Sequence, residues 1–133
     1  MSGLVLKLRP SERIMINGAV IENGDRRTRL NVLTPKANVL RLRDAIHPDE
    51  ANTPVRRVCY IGQLLLAGEA EPSEARKQLM QGIEQLKQVF LDTESRAHLR
   101  DATTSLQEEN DYQALKFLRF LIPVEDRLMA IHA

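Results

Sequence analysis

The 133-residue sequence has no tryptophan and only five phenylalanine and tyrosine residues. A broad aromatic platform of the kind on which single-stranded nucleic acids stack is therefore not expected. The chain also has a single cysteine, Cys59, which cannot form an intrachain disulfide and fits a reducing compartment. The sequence is therefore not typical of a secreted disulfide scaffold.

Long hydrophobic runs are missing as well. The longest nearly unbroken apolar stretch, residues 58–68, is too short to cross a bilayer. The first ten residues lack the basic head and long apolar body of a signal peptide. We therefore expect no membrane segment and a cytoplasmic location.

Residue patterns that carry catalysis or bind metals are scarce. His47, His98 and His132 are far apart in the sequence, and none has a second histidine or cysteine at ligand spacing. No glycine-rich phosphate loop is present. Glu108 and Glu109 are adjacent carboxylates, but neighbouring helical positions point in different directions, so the two do not converge. We expect no enzyme activity, no cofactor and no metal.

Charge is distributed unevenly along the chain. Residues 1–43 hold nine basic and three acidic side chains, a formal charge of +6, whereas the remaining 90 residues carry −5. One interpretation is an anion-binding part joined to a part with another task. The other is that short β-strands display solvated arginines on their outer face.

The period of the hydrophobic pattern divides the chain at the same place. Residues 1–46 predict a small antiparallel β-domain of five short strands, beginning with Leu4, Leu6 and Leu8 at a period of two. Asn-Gly at 17–18 and again at 23–24 predicts two tight hairpins, and residues 37–43 predict the last strand.

After a connector at 47–53, residues 54–133 predict a helical domain of about four helices, which makes the fold class α+β. The first predicted helix covers 55–67 and is stopped by Gly68, and the second is opened by Pro72. The third is capped by Ser95, and the fourth runs from Asp111 to Pro123. The amphipathic helices could form a plain core or leave part of an apolar groove for a partner.

The basic strands are the leading candidate site. Lys7 and Arg9 share one face of the first strand, and Arg41 and Arg43 share one face of the last. If these strands are neighbours, their four cations converge, and they could bind phosphates and exposed base edges of RNA. A further auxiliary patch would consist of Arg26, Arg27 and Arg29.

Three segments of the sequence resemble the FlbT family. They are LKLRPSERIMINGAVIENGDRR at 6–27, TPKANVL at 34–40 and DYQALKFLRFLIPVEDRL at 111–128. FlbT is the flagellum biosynthesis repressor of alphaproteobacteria. The resemblance implies a post-transcriptional regulator that acts on flagellin mRNA through its 5′ untranslated region. It also implies a functional link to FlaF, a small flagellin-associated regulator.

The segments LKLRPSERIMING and NVLTPKANVLRLRDAI are also similar in order and spacing to CsrA, a small β-protein that represses translation. This resemblance implies a five-stranded dimer that exchanges strands and binds GGA-containing RNA loops. Carried over by position, the RNA contacts would be Leu6, Lys7, Arg9, Leu40, Arg41, Leu42 and Arg43. Leu42 stands where CsrA has its key arginine, and Leu8 stands where it has another basic residue.

Two functional hypotheses follow. In the first, a CsrA-like β-domain binds the 5′ leader of flagellin mRNA and limits its translation or stability. In the second, the helices bind a FlaF-like regulator or flagellin, and the effect on flagellin expression is indirect. A homodimer is compatible with either, because a sheet this small buries little surface alone.

Overall fold

The computed structural model describes residues 3–131 and confirms an α+β fold with five antiparallel strands at the N-terminus and helices after them. His132 lies outside the described residues. The strands are β1 Leu4–Leu8, β2 Arg13–Ile16, β3 Ala19–Glu22, β4 Thr28–Val32 and β5 Val39–Arg41. The helices are α1 Pro54–Leu66, α2 Pro72–Leu86, α3 Thr93–Gln107, α4 Asp111–Arg119 and α5 Leu121–Ile131. None of the helices in this part of the chain is long and apolar enough to cross a membrane.

The five strands form two sheets instead of the single sheet that the sequence predicts. β1 pairs with β4, while β2 lies between β3 and β5. All three pairings are antiparallel. The inward side chains of both sheets, among them Leu6, Ile14 and Val39, form one small buried cluster. The two sheets therefore supply each other with the second layer that so small a sheet needs.

The two Asn-Gly signals have different outcomes. Asn17 and Gly18 have φ angles of 48° and 87°, as a tight hairpin between β2 and β3 requires. Gly24 does not adopt a positive φ, and the chain after Glu22 leaves β3 for the other sheet. The Asn23 side-chain amide donates to the carbonyl oxygens of Arg9 and Arg26, so it holds this crossing in place.

The last strand is shorter than the predicted range 37–43. β5 ends at Arg41, and a 3-10 turn covers Leu42–Asp44. Leu42 packs against the helical core. Arg43 therefore does not share a strand face with Arg41, contrary to the alternation in the sequence.

Helix ends also differ from the sequence-based expectations at two places. Asp92, and not Ser95, caps α3, because its carboxylate accepts from the Ser95 backbone N–H at 2.9 Å. Pro123 does not stop a helix. It lies in the first turn of α5, where a missing N–H is tolerated. Gly68, in contrast, ends α1 with a positive φ of 75°, as predicted.

The β part (residues 3–46) packs directly on the helical part (residues 54–131). Leu40 of β5 belongs to the buried core of the helices, and Tyr112 of α4 contacts the clusters of both parts. The Gln63 side chain accepts from the Ile46 N–H at 2.6 Å and donates to the Ile46 carbonyl at 3.0 Å. The two parts therefore share a hydrophobic and hydrogen-bonded junction.

Candidate nucleic-acid interface

Six cationic side chains line one open cavity of about 470 Å³ on the β part. They come from β1 and the residue after it, from the start of β4 and the residue before it, and from the end of β5 and the turn that follows. We call this set the basic cluster: Lys7, Arg9, Arg27, Arg29, Arg41 and Arg43. A concave surface lined by one sign of charge concentrates the field and attracts an anionic partner.

These cations converge, but not because the first and last strands are neighbours in one sheet, as the sequence suggests. β1 and β5 lie in different sheets and do not pair with each other. Instead, the Arg41 guanidinium donates a hydrogen bond to the Lys7 carbonyl oxygen and connects the two sheets. The first and last strands thus bring their cations together across a junction of sheets.

Two of these cations are direct cross-strand neighbours. Lys7 is paired with Arg29 in the β1–β4 ladder, and both side chains are exposed. Like charges directly opposite each other destabilise an antiparallel pair. The β2–β3 ladder shows the stabilising alternative, because Arg13 lies opposite Glu22 with an N–O distance of 2.9 Å. The register that buries Leu6 and Val32 therefore places Lys7 beside Arg29 at an electrostatic cost, which a bound anion would relieve.

Glu12 anchors the cluster from behind. Its side chain is only 4% exposed, and one carboxylate oxygen lies 2.9 Å from Nε of Arg41 and 3.6 Å from Nε of Arg43. The other oxygen accepts from the Arg9 backbone N–H at 2.9 Å. Burial raises the pKa of this carboxyl, but the Arg9 hydrogen bond and the charges of Arg41 and Arg43 outweigh burial and lower the pKa.

Sequence reasoning missed this role of Glu12 and counted it only as one of three acids in a basic segment. The backbone of the preceding residue, Ser11, is left-handed with φ at 59°. This conformation cannot be inferred from the sequence. The cations of the site therefore differ in their ion pairing. Arg41 is held by Glu12, whereas Lys7, Arg9 and Arg29 have no ion pair within residues 3–131.

The structure places the remaining predicted contact residues as follows. Leu6 and Leu40 are 3% and 5% exposed, and Leu42 is half-buried against the helical core. Leu6 and Leu40 therefore support the basic strands from inside, and Leu42 is only partly exposed in the turn after β5. Arg26 is exposed but does not line the cavity, so the predicted auxiliary patch divides, with Arg27 and Arg29 on the site and Arg26 off it.

The single cysteine is buried and unreactive in this arrangement. Burial raises the pKa of the Cys59 thiol to about 12, so the thiolate does not form at neutral pH. Between residues 3 and 131, no three His, Cys, Asp or Glu side chains are grouped in a way that could hold a metal ion. The chemistry that the site offers is electrostatic and hydrogen-bonding recognition of an anion.

Known proteins are similar to this chain over nearly its whole length. A family described as "Flagellar protein FlbT" matches residues 4–129. A probable flagellum biosynthesis repressor protein FlbT of Caulobacter sp. strain K31 is 33% identical over 124 residues, which cover 93% of this chain and 94% of that protein. The corresponding protein of Mesorhizobium japonicum is 32% identical, over 95% of this chain and 84% of its own length. The flagellum biosynthesis repressor protein FlbT of Caulobacter vibrioides (strain CB 15) is 31% identical, over 92% and 86%. No solved structure matches.

Proposed function

Because this chain belongs to the FlbT family of flagellar proteins, we propose that it represses flagellum biosynthesis by binding RNA. Its target is the 5′ untranslated leader of flagellin mRNA, and binding limits the translation or stability of that message. The protein acts in the cytoplasm without catalysis or a cofactor.

The observation that carries this proposal is the basic cluster. Six cations from three separate segments line one cavity, and Lys7 faces Arg29 at a cost to the ladder. A phosphate backbone brought into the cavity neutralises this repulsion. Guanidinium groups can in addition form paired hydrogen bonds with phosphates and with exposed base edges.

Binding to the leader is by itself sufficient to repress the message. Sequence-specific recognition of RNA uses single-stranded loops, whose bases are accessible. A 15.1 kDa protein held on such a loop covers the neighbouring nucleotides against ribosomes and other factors. No reaction is required, so regulation depends on affinity and on the place of binding in the leader.

The test is a titration of the full-length protein into the labelled flagellin 5′ leader at about 50 and 200 mM salt. We expect binding that weakens with salt, because each neutralised phosphate releases counterions, with a slope near −0.7 per contact on single strands. The double variant Lys7→Gln/Arg9→Gln should bind more weakly and reduce the slope by about 1.4, which is two such contacts.

Arg13→Gln is the matched control, because Arg13 pairs with Glu22 and does not line the cavity. It removes one positive charge from the same domain and should leave binding nearly unchanged. The proposal is contradicted if the full-length protein does not bind the leader. It is also contradicted if the Lys7/Arg9 variant binds as tightly as the unaltered protein.

A second candidate function rests on a different surface. An apolar cavity of about 230 Å³ lies between the end of α2 and α5. Val89 and Met129 line it and are largely exposed. Exposed apolar cavities of this kind are typical of protein contacts. Through this surface the protein would bind a FlaF-like regulator or flagellin.

This candidate has its own test. Purified FlaF and flagellin are titrated separately with the full-length protein and with Val89→Lys. Loss of partner binding with intact leader binding would support a protein contact at this cavity. Equal partner binding by Val89→Lys, or no binding of either partner, contradicts it.

A further inference from the structure

A second groove begins where the basic cluster ends. It lies between β5 and α4 and has a volume of about 370 Å³, which is in the range of small-ligand sites. Arg41 lines both this groove and the cavity of the basic cluster. An RNA strand bound along the basic cluster and past Arg41 would therefore reach the junction with the helical part.

The groove is basic, although the helical part that forms one of its walls is acidic overall. Residues 44–133 are acidic overall, yet Arg41, Lys116 and Arg119 line the groove against a single carboxylate, Asp44. Asp44 pairs with Arg119 at 3.3 Å, while the Lys116 side chain is exposed and has no ion pair within residues 3–131. The groove thus favours an anionic occupant.

Aromatic side chains are concentrated in the same place. The chain has only five, and two of them, Tyr112 and Phe120, line the groove. Phe120 is 49% exposed, although it is a large apolar side chain. His98 stacks on its ring with centroids 4.7 Å apart and planes tilted by 16°, so the ring is supported while part of it remains open.

A mixed surface of this composition fits an occupant that has both a flat apolar face and a negative charge. A purely apolar segment would leave Lys116 without a partner, and a free phosphate would leave the apolar wall around Leu115 and Phe120 uncovered. A nucleotide has both a flat base and a phosphate. Bases stack on exposed aromatic rings, and cations beside the ring hold the flanking phosphates.

We propose that this groove binds an unpaired nucleotide of the same RNA strand whose phosphates occupy the basic cluster. Phe120 stacks on the base, and Lys116 contacts the adjoining phosphate. The proposal rests on the RNA-binding function proposed above and extends it, because it makes the helical part a direct reader of RNA. The bound strand then crosses the junction of the two parts at Arg41.

The test uses the full-length protein and two labelled single-stranded RNA probes of about 12 nucleotides. One probe carries all bases, and the other has the same backbone with abasic sites in place of its central nucleotides. The unaltered protein should bind the complete probe more tightly. Phe120→Leu, which keeps an apolar side chain without an aromatic face, should lose roughly 5- to 100-fold in affinity for the complete probe. Its affinity for the abasic probe and its salt slope should not change.

Lys116→Gln should show the complementary behaviour. It should weaken binding of both probes and reduce the salt slope by about 0.7, the value of one phosphate contact. Lys77→Gln on α2 is the control for an exposed helical lysine outside the groove. Met129→Ala is the control for loss of an exposed apolar side chain, because Met129 lines the apolar cavity between α2 and α5 and not this groove. Circular dichroism and thermal unfolding verify that each variant is folded.

The outcomes separate this inference from the function on which it rests. If Phe120→Leu and Lys116→Gln bind both probes like the unaltered protein, while Lys7→Gln/Arg9→Gln loses binding, the groove is not a nucleotide site. RNA binding by the β part then still stands. Equal affinity of the unaltered protein for the two probes also overturns the inference. If the unaltered protein binds neither probe nor the flagellin leader, both proposals fail together.

Discussion

Glu12 and Arg41 are 29 residues apart in the sequence, and Nε of Arg41 lies 2.9 Å from the Glu12 carboxylate. The carboxylate is buried on the side of the basic cluster that faces the protein, and Arg41 also reaches the Lys7 carbonyl in the other sheet. This pair joins the two sheets and places a negative charge behind the cations of the site. A change at Glu12 is therefore expected to lower stability and to strengthen the proposed RNA binding.

Glu12→Gln is expected to destabilise the fold. The amide cannot offer Arg41 and Arg43 an ionised acceptor, and hydrogen bonds to charged groups contribute about 1.5–3 kcal/mol each. Urea unfolding should therefore show a decrease of that size in the free energy of unfolding. RNA affinity should rise at the same time, because the cluster loses its buried negative charge. Glu22→Gln is the control, since its pair with Arg13 is exposed and should change stability by less than about 1 kcal/mol.

Stability should decrease on the acid side, and Glu12 should contribute to that decrease. Its pKa in the fold is below the ordinary value of 4.5, so the ionised form stabilises the fold above that pH. The contribution is lost as the pH falls through the lowered pKa. Urea midpoints between pH 7 and pH 3 should therefore fall less steeply for Glu12→Gln than for the unaltered protein. Parallel profiles for the two proteins would contradict this assignment.

Arg26 and Arg29 should differ in their effect on RNA binding, although the sequence groups them. Arg29 lines the cavity opposite Lys7, whereas Arg26 does not line it. Arg29→Gln should lower affinity for the flagellin leader several-fold and reduce the salt slope by about 0.7. Arg26→Gln, with the same loss of charge, should bind nearly like the unaltered protein. Equal effects would mean that net charge, and not the cavity, determines binding.

Gly82→Ala should destabilise the helical part. A Cβ at Gly82 would lie 2.7 Å from Cγ2 of Val58, a buried side chain with a stiff χ1. Overpacking costs about 1–3 kcal/mol, which exceeds the helix preference of alanine over glycine of about 1 kcal/mol. Thermal unfolding should show a lower midpoint for this variant.

Gly62→Ala is the matched comparison on α1. Its Cβ would lie 3.1 Å from Cδ1 of Leu115, the far end of a side chain that can rotate away. We expect little change or a small gain in stability from the helix preference. The prediction fails if Gly62→Ala is the more destabilised of the two variants.

A fragment of residues 1–53 should not fold alone, even though the sequence predicts a β-domain within 1–46. Leu40 is buried in the helical core, and Met15 and Leu42 pack against that core. Removal of the helices would expose these side chains and leave only the small cluster between the sheets. Circular dichroism and one-dimensional NMR of the fragment should show an unfolded chain. A folded fragment would show that the contacts with the helices are dispensable.

Several features of this protein could be predicted from the local sequence. Asn17-Gly18 predicts its hairpin because both residues tolerate a positive φ, and Gly68 predicts the end of α1 for the same reason. Alternation in β1 places Lys7 and Arg9 outward and Leu6 and Leu8 inward, as observed. Each of these depends on a residue and its immediate neighbours.

Other features depend on partners that are distant in the sequence. Asn23-Gly24 has the same local signal as Asn17-Gly18, but Asn23 is held by the carbonyls of Arg9 and Arg26 and does not close a hairpin. Asp92 replaced Ser95 as the cap of α3 because the helix begins one turn earlier than the apolar stripe indicates.

The sequence by itself determined the α+β class, the five strands, the FlbT resemblance and the presence of a basic N-terminal segment. The class, the strands and the basic segment follow from composition, period and local backbone preference, whereas the FlbT resemblance rests on the segments at 6–27, 34–40 and 111–128. Only the tertiary structure decided that the strands divide into two sheets, that Lys7 faces Arg29, and that Glu12 holds Arg41 behind the site. The reason is physical: the positions of these charges are set by the burial of Leu6, Ile14 and Val39 between the sheets and of Leu40 among the helices. Burial joins segments without regard to their separation along the chain.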